Sequence, residues 1–320
     1  MISKKRIWIL FVLFSVFIIF LLGSFYYVPE IPSEVLNEKY SVTPSQYIEI
    51  DGMNVHYIVE GPPTDTIPLV LIHGTSSSLF TWNRWTEILQ DKHRVIRFDL
   101  PAFGLTGPHP EGDYRVEAYL SFLKSFLKKL EIKQCILVGN SIGGEIAWRY
   151  ALNNPKQVHK LVLLNASGYP VELKEVPLAK IPYSFLWLRI PLIRELSVMF
   201  ITPEVMRESL IYLYGDPKKV TDNVVEVYFD MINRKGNREA LTERMESFNI
   251  PAPLQEITKI KVPTLIIWGD KDRLIPVEHA RRFHNDLPYS TLKILQGAGH
   301  MPMEEIPNLS VKPLLEFIKD

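Results

Sequence analysis

Cysteine is nearly absent from this chain: Cys135 is the only one in 320 residues. An intrachain disulfide is therefore excluded, although that does not fix a compartment. Cys135 lies in an apolar run and reads as a small buried side chain rather than a reactive thiol. A charge surplus is absent too. With 36 basic and 36 acidic side chains, there is no electrostatic argument for nucleic acid as a partner. Phosphate loops, dinucleotide fingerprints and zinc patterns are missing, and none of the eight histidines forms a His-Glu-x-x-His type of pairing. No cofactor and no metal is implied. Internal repeats and low-complexity tracts are also lacking.

Long apolar runs are scarce but for one. Lys4, Lys5 and Arg6 precede Ile7–Leu22, which is apolar everywhere except Ser15, and the run continues to Val28. As a helix, 7–28 would span about 33 Å at ~1.5 Å per residue, enough for a hydrocarbon core of about 30 Å. It is long for the apolar region of a cleaved signal, no small-x-small site follows, and it lacks the polar face of a core helix. The expectation is an uncleaved transmembrane signal anchor. The basic residues ahead of it make residues 1–6 cytoplasmic and place the remainder on the periplasmic or extracellular side. Residues 29–45, with Pro29, Pro32 and Pro44, read as a linker.

Strand and helix patterns alternate beyond it. Gln46–Ile50 and Asn54–Val59 flank Asp51-Gly52, a hairpin signal. Strands are expected at Leu69–Ile72, Arg94–Phe98, Gln134–Val138, Leu161–Leu164, Thr264–Trp268 and Thr291–Ile294. Helices are expected at Trp82–Leu89, Val116–Leu130, after Ser141, and at Leu309–Ile318. This rhythm predicts an α/β fold, a mostly parallel sheet with helices on both faces. Residues 168–257 break it. They are rich in helix formers, proline and large apolar residues such as Phe185, Trp187 and Ile193, and read as a helical insertion over the sheet.

The chemistry sits at strand ends. Gly139-Asn140-Ser141-Ile142-Gly143-Gly144 lies between an apolar strand and a helix, the setting of a nucleophile elbow. A serine hydroxyl needs a general base. Gly297-Ala298-Gly299-His300 follows one strand, and Asp270-Lys271-Asp272 follows another, where open parallel sheets place their sites. The order Ser141, Asp272, His300 is one of the known triad orders. His300 would take the serine proton, and the aspartate would hold the imidazole. Oxyanion donors are expected at the backbone N–H groups of Ile142 and Thr75, the latter in His73-Gly74-Thr75-Ser76. His73 itself is read as a brace for that turn.

From residue 46 onward the chain resembles the α/β-hydrolase superfamily, in the branch of bacterial lipases and esterases and of meta-cleavage-product C–C hydrolases. His73-Gly74, Asp99-Leu100-Pro101-Ala102-Phe103-Gly104, Gly139–Gly144, and Gly269-x-x-Asp272 with Gly299-His300 carry the resemblance. It implies that Asp272, rather than Asp270, is the acid. It gives Asp99 a structural turn role, with Ala102 standing where glycine is more usual. It also implies a division into a first core part over 46–167, a cap over 168–257 and a second core part over 258–320.

Ser141 sets aside relatives that carry aspartate at the elbow. Gly-Asn-Ser resembles the C–C hydrolases, which typically place tryptophan after the histidine, whereas Met301 follows here. The resemblance and the anchor together lead us to expect a membrane-anchored serine esterase or lipase acting on a small-molecule ester with an apolar part. A C–C hydrolase of the same fold is the alternative, and a non-catalytic binding protein on this scaffold the second.

Overall fold

The structure, a computed structural model, describes Trp8, Phe14, Gly23 and residues 26–41, 43–170, 181–188, 190–247 and 254–319. Eight strands form one sheet: β1 (Ser45–Ile50), β2 (Met53–Glu60), β3 (Leu69–Ile72), β4 (Val95–Phe98), β5 (Cys135–Asn140), β6 (Val158–Leu164), β7 (Thr264–Gly269) and β8 (Ser290–Leu295). Their order is β1-β2-β4-β3-β5-β6-β7-β8. The hairpin of β1 and β2 is antiparallel, β2 is antiparallel to β4, and all pairs from β4 to β8 are parallel.

Strands β3, β4, β5 and β7 are buried at every position. A strand buried on both faces needs helices above and below the sheet, which is why these segments read as continuous apolar runs rather than alternating ones. Val116–Lys129 packs beside Ile142–Asn153, while Asn83–Leu89 packs with Pro302–Glu305 and Pro307–Ser310. The expected helix at Trp82–Leu89 is a 3-10 turn, Leu79–Trp82, leading into Asn83–Leu89. The expected C-terminal helix is split into Pro307–Ser310 and Lys312–Phe317.

No strand occurs among the described residues between β6 and β7. Helices Tyr183–Trp187, Pro191–Ser197, Pro203–Leu213, Asp222–Asn233 and Asn237–Glu246 fill this stretch. Thr202 and Thr221 cap two of them, each side chain accepting a backbone N–H of the first turn.

Two expectations near the N-terminus fare differently. The linker is a correction. Ser33–Tyr40 is a helix, and Pro32 stands just ahead of it, where proline is tolerated. Leu36 is buried with Leu105 and Met231, and Lys39 pairs with Glu226 and Asp230 at 2.5 and 2.7 Å. Tyr40 also donates to Asp230. The anchor expected over 7–28 lies outside the described residues except for Trp8, Phe14, Gly23 and 26–28. Among the described residues no helix is long and apolar enough to cross a membrane.

Candidate active site

Ser141 stands where β5 turns into the helix Ile142–Asn153. Its φ of 55° and ψ of −122° place it outside the usual regions for an L-residue, a strain that surrounding structure must hold. The flanking glycines explain how. A Cβ on Gly139 would lie 2.1 Å from the Gly143 carbonyl oxygen, and one on Gly143 would lie 2.3 Å from the Ile72 oxygen. Strand and helix meet backbone to backbone. The Ser141 carbonyl accepts the Ser167 N–H at 2.8 Å, pinning the turn to the end of β6.

Ile142 opens its helix, so its N–H has no acceptor within that helix. The His73–Ser76 turn lies against the same point, since a Cβ on Gly74 would come 3.1 Å from the Ser141 Cβ. Thr75 follows directly and is half-buried. His73 braces this turn. Its Nδ1 lies 2.7 Å from the Gly74 oxygen, and its Nε2 accepts the Leu100 N–H at 2.9 Å. Those partners assign the neutral Nδ1–H tautomer, and burial holds the ring below the usual histidine range.

His300 and Asp272 come together. The His300 Nδ1 lies 2.7 Å from the Asp272 Oδ2, both residues being buried. The Asp272 Oδ1 accepts the N–H groups of Leu274 and Ile275, each at 2.9 Å, and its Oδ2 also accepts from Asn165 Nδ2 at 2.7 Å. This is a carboxylate fixed on every side, with one lobe aimed at the imidazole. Asp270 points elsewhere. Its Oδ1 accepts the Gly297 N–H at 2.6 Å and staples the histidine loop. Asp99 is likewise structural. Burial would raise its carboxyl, but His56 and the backbone donors at Leu79 and Leu105 outweigh that and hold it below the usual range. Ala102 occupies a left-handed conformation, φ 83°, in keeping with the glycine more usual there.

Several residues around the site have no motif in the sequence. Asn165 directly follows β6, and nothing local marks it; Asn140 closes β5 inside the elbow motif, which gave no signal of its partners. Asn140 Nδ2 donates to the His300 and Leu164 oxygens at 3.2 and 3.1 Å. Glu304 and Glu305 gave no signal. The Glu305 carboxylate accepts N–H groups of Gly215, at 2.7 Å, and of Gly299, at 2.9 Å, tying the cap to the histidine loop. Glu304 accepts from Thr81 at 2.5 Å, from Tyr228 at 2.8 Å and from Tyr214. Burial pushes its carboxyl up, with those hydroxyls pulling partly back. Burial and the neighbouring Glu304 charge together push both tyrosines well above their usual value. Tyr228 also pairs with Ser77 at 3.1 Å. The cap helix that carries Tyr228 is thereby joined directly to Ser77, beside the His73–Ser76 turn, and through Glu304 to Thr81.

Beside that turn lies a cavity lined by Ser76, Ser77, Phe103, Met231, Ile232 and Leu241, with Ala102, Gly104 and Asn237 completing it. None of these side chains is charged. The remaining thiol, Cys135, is buried in β5, which pushes its pKa up to about 12. It plays no part in the site.

A parallel sheet carrying a serine on a strained strand-to-helix turn, with a His–Asp pair on later loops, is the architecture of an α/β hydrolase. The chain belongs to the alpha/beta hydrolase fold family, which matches residues 67–307. Among its relatives, an uncharacterised hydrolase of Bacillus subtilis, YugF, is 30% identical over 87% of this chain and 99% of its own length. The 2-hydroxy-6-oxo-2,4-heptadienoate hydrolase of Pseudomonas putida is 30% identical over 73% of this chain and 82% of its own. Lipase 1 of Psychrobacter immobilis is 29% identical over 74% and 72% respectively.

Proposed function

We propose that this hydrolase cleaves carboxylic esters bearing an apolar acyl or alcohol part. Ser141 Oγ attacks the ester carbonyl carbon and gives its proton to His300 Nε2. Asp272 holds the ring and stabilises the imidazolium. The carbonyl oxygen, now an anion, receives the N–H groups of Thr75 and Ile142. His300 returns the proton to the departing alcohol, leaving an acyl group on Ser141. A water deprotonated by His300 then attacks that acyl-enzyme, and the acid leaves as Ser141 recovers its proton.

The apolar cap side chains nearest the Ser76–Ser77 turn, Met231, Ile232 and Leu241, support the choice of an apolar substrate. The resemblance to a lipase agrees with an apolar ester. C–C cleavage is the second reading, favoured by the Gly139-Asn140-Ser141 sequence and by the Pseudomonas putida relative. We further propose that residues 7–28 anchor the protein in a membrane, with the N-terminus cytoplasmic and the hydrolase on the periplasmic or extracellular side.

Purified protein is to be assayed on p-nitrophenyl esters of graded chain length and on a vinylogous 1,5-diketone acid. Faster turnover of the longer, uncharged esters is expected. Cleavage of the diketone acid with no ester turnover would overturn the ester reading. Fluorophosphonate labelling is expected in wild type and lost in Ser141→Ala; labelling that survives the substitution removes Ser141 as nucleophile.

A further inference from the structure

Among the described residues of 183–199, six large apolar side chains stand exposed: Tyr183, Trp187, Ile190, Ile193, Leu196 and Met199. Elsewhere beyond β1, the large apolar side chains left exposed, Tyr289 and Leu309, are far apart in sequence, as is ordinary on protein surfaces. This cap strip is also poor in charge. Arg194 is buried, its Nε donating to the Leu188 oxygen and its Nη1 to the Thr242 oxygen at 2.9 and 3.2 Å. Among the described residues of the strip, Glu195 is the one exposed charge.

The end of the N-terminal apolar run is fixed to the same strip. The Val28 N–H donates to the Met199 oxygen at 3.0 Å, and the Val28 oxygen accepts from Arg238 Nη1 at 2.6 Å. Gly23 lies against the Phe200 ring, and the Ile31 N–H donates to the Asn233 oxygen at 2.7 Å. Among the described members of the run, Trp8, Phe14, Tyr26 and Tyr27 are exposed. There is no slack between the apolar run and the cap.

We infer that the 183–199 strip is a bilayer-docking surface of the cap, its Trp, Tyr and aliphatic side chains seated among lipid headgroups and upper acyl chains. This rests on the anchor reading of residues 7–28. Where the run leaves the hydrocarbon, Val28 is bonded to Met199, so the strip sits at headgroup depth by connectivity. Tyr and Trp suit that depth because they have an apolar body and a polar tip. Buried aliphatic side chains supply the affinity.

The test uses the full-length chain in vesicles of phosphatidylethanolamine and phosphatidylglycerol. Single-cysteine variants Trp187→Cys, Leu196→Cys, Ser15→Cys and Tyr289→Cys carry an environment-sensitive fluorophore; Cys135 is buried and stays unlabelled. Lipids bearing nitroxides at shallow and deep positions act as quenchers. Probes at 187 and 196 are expected to lose most of their emission to shallow quenchers, the probe at 15 to deep ones, and the probe at 289 to neither. Quenching at 15 but not at 187 and 196 overturns the docking surface and leaves the anchor standing. No quenching at 15 overturns the anchor reading, and the docking inference falls with it. Blue-shifted, unquenched probes at 187 and 196 mean that a second copy covers the strip, which also overturns the inference.

Discussion

The backbone N–H of His300 donates to the carbonyl oxygen of Leu213, the last residue of a cap helix, at 2.7 Å. The His300 loop is therefore held from the cap side as well as by the sheet. Gly215 and Gly299, joined through the Glu305 carboxylate, repeat the tie two residues on. Cap and His300 loop form one mechanical unit.

That tie predicts shared opening. Leu210 is buried in the helix Pro203–Leu213, and Leu210→Ala removes about 2–5 kcal/mol of packing. The His300 amide should then exchange hydrogen faster, in step with amides of that helix, while amides of β3 are unchanged. Unaltered protection at His300 would show that the loop stands without the cap.

On the proposed triad, Asn165 is a positioning residue. It donates to the carboxylate oxygen of Asp272 that faces the imidazole. Losing a buried hydrogen bond of this kind costs about 1–3 kcal/mol. If that loss appears mainly in the transition state, Asn165→Ala lowers kcat on the order of 10- to 100-fold with little change in KM. Asn165→Asp should be worse, since it sets a second negative charge beside Asp272. An effect confined to KM would assign Asn165 to substrate binding instead.

The two aspartates of one loop should separate cleanly. Asp272→Asn is expected to lower turnover roughly 10⁴-fold, as loss of the carboxylate partner does in serine triads. Asp270→Asn weakens one hydrogen bond to the Gly297 N–H and costs about 1 kcal/mol of stability, leaving kcat near wild type. Rates of fluorophosphonate labelling compare the two. The reverse ranking would move the acid to Asp270.

Glu304 predicts a pH dependence of stability. Burial raises its folded pKa, so the folded chain holds this proton more tightly than the unfolded one. The stabilisation is complete below the unfolded value, about 4.3 for glutamate. It is lost as pH rises through the raised folded value. Glu304→Gln cannot titrate there. The denaturation midpoint of wild type minus that of the variant should therefore fall with rising pH and then level off. A constant difference across the range would mean that the carboxyl is not raised.

The sheet was legible because its parallel strands are short apolar runs bounded by turns, and β3 falls where its four residues predict it. The hairpin was legible from Asp51-Gly52. Asp272 required the resemblance to choose it over Asp270, because both acids lie in one loop and only the fold decides which meets His300. Asn165, Glu304 and Glu305 were not legible. Their partners are distant in sequence, as with Glu304 and Thr81, and nothing local marks them. The helix Ser33–Tyr40 was hidden for another reason. It buries only Leu36 and takes its hold from ion pairs to the cap, so its charges and the flanking prolines read as a linker.

The crossing of Gly215 over Gly299 also bears on how such a protein can be re-engineered. A Cβ on Gly215 would lie 2.3 Å from the Gly297 oxygen, and one on Gly299 would lie 2.3 Å from the Leu213 oxygen. Two main chains pass with no room for side chains between them. A transplanted cap can differ in every helix that lines the cavity, provided its graft boundary preserves this bare crossing. The junction behaves as a keyed socket, setting which donor caps seat correctly above the reacting serine.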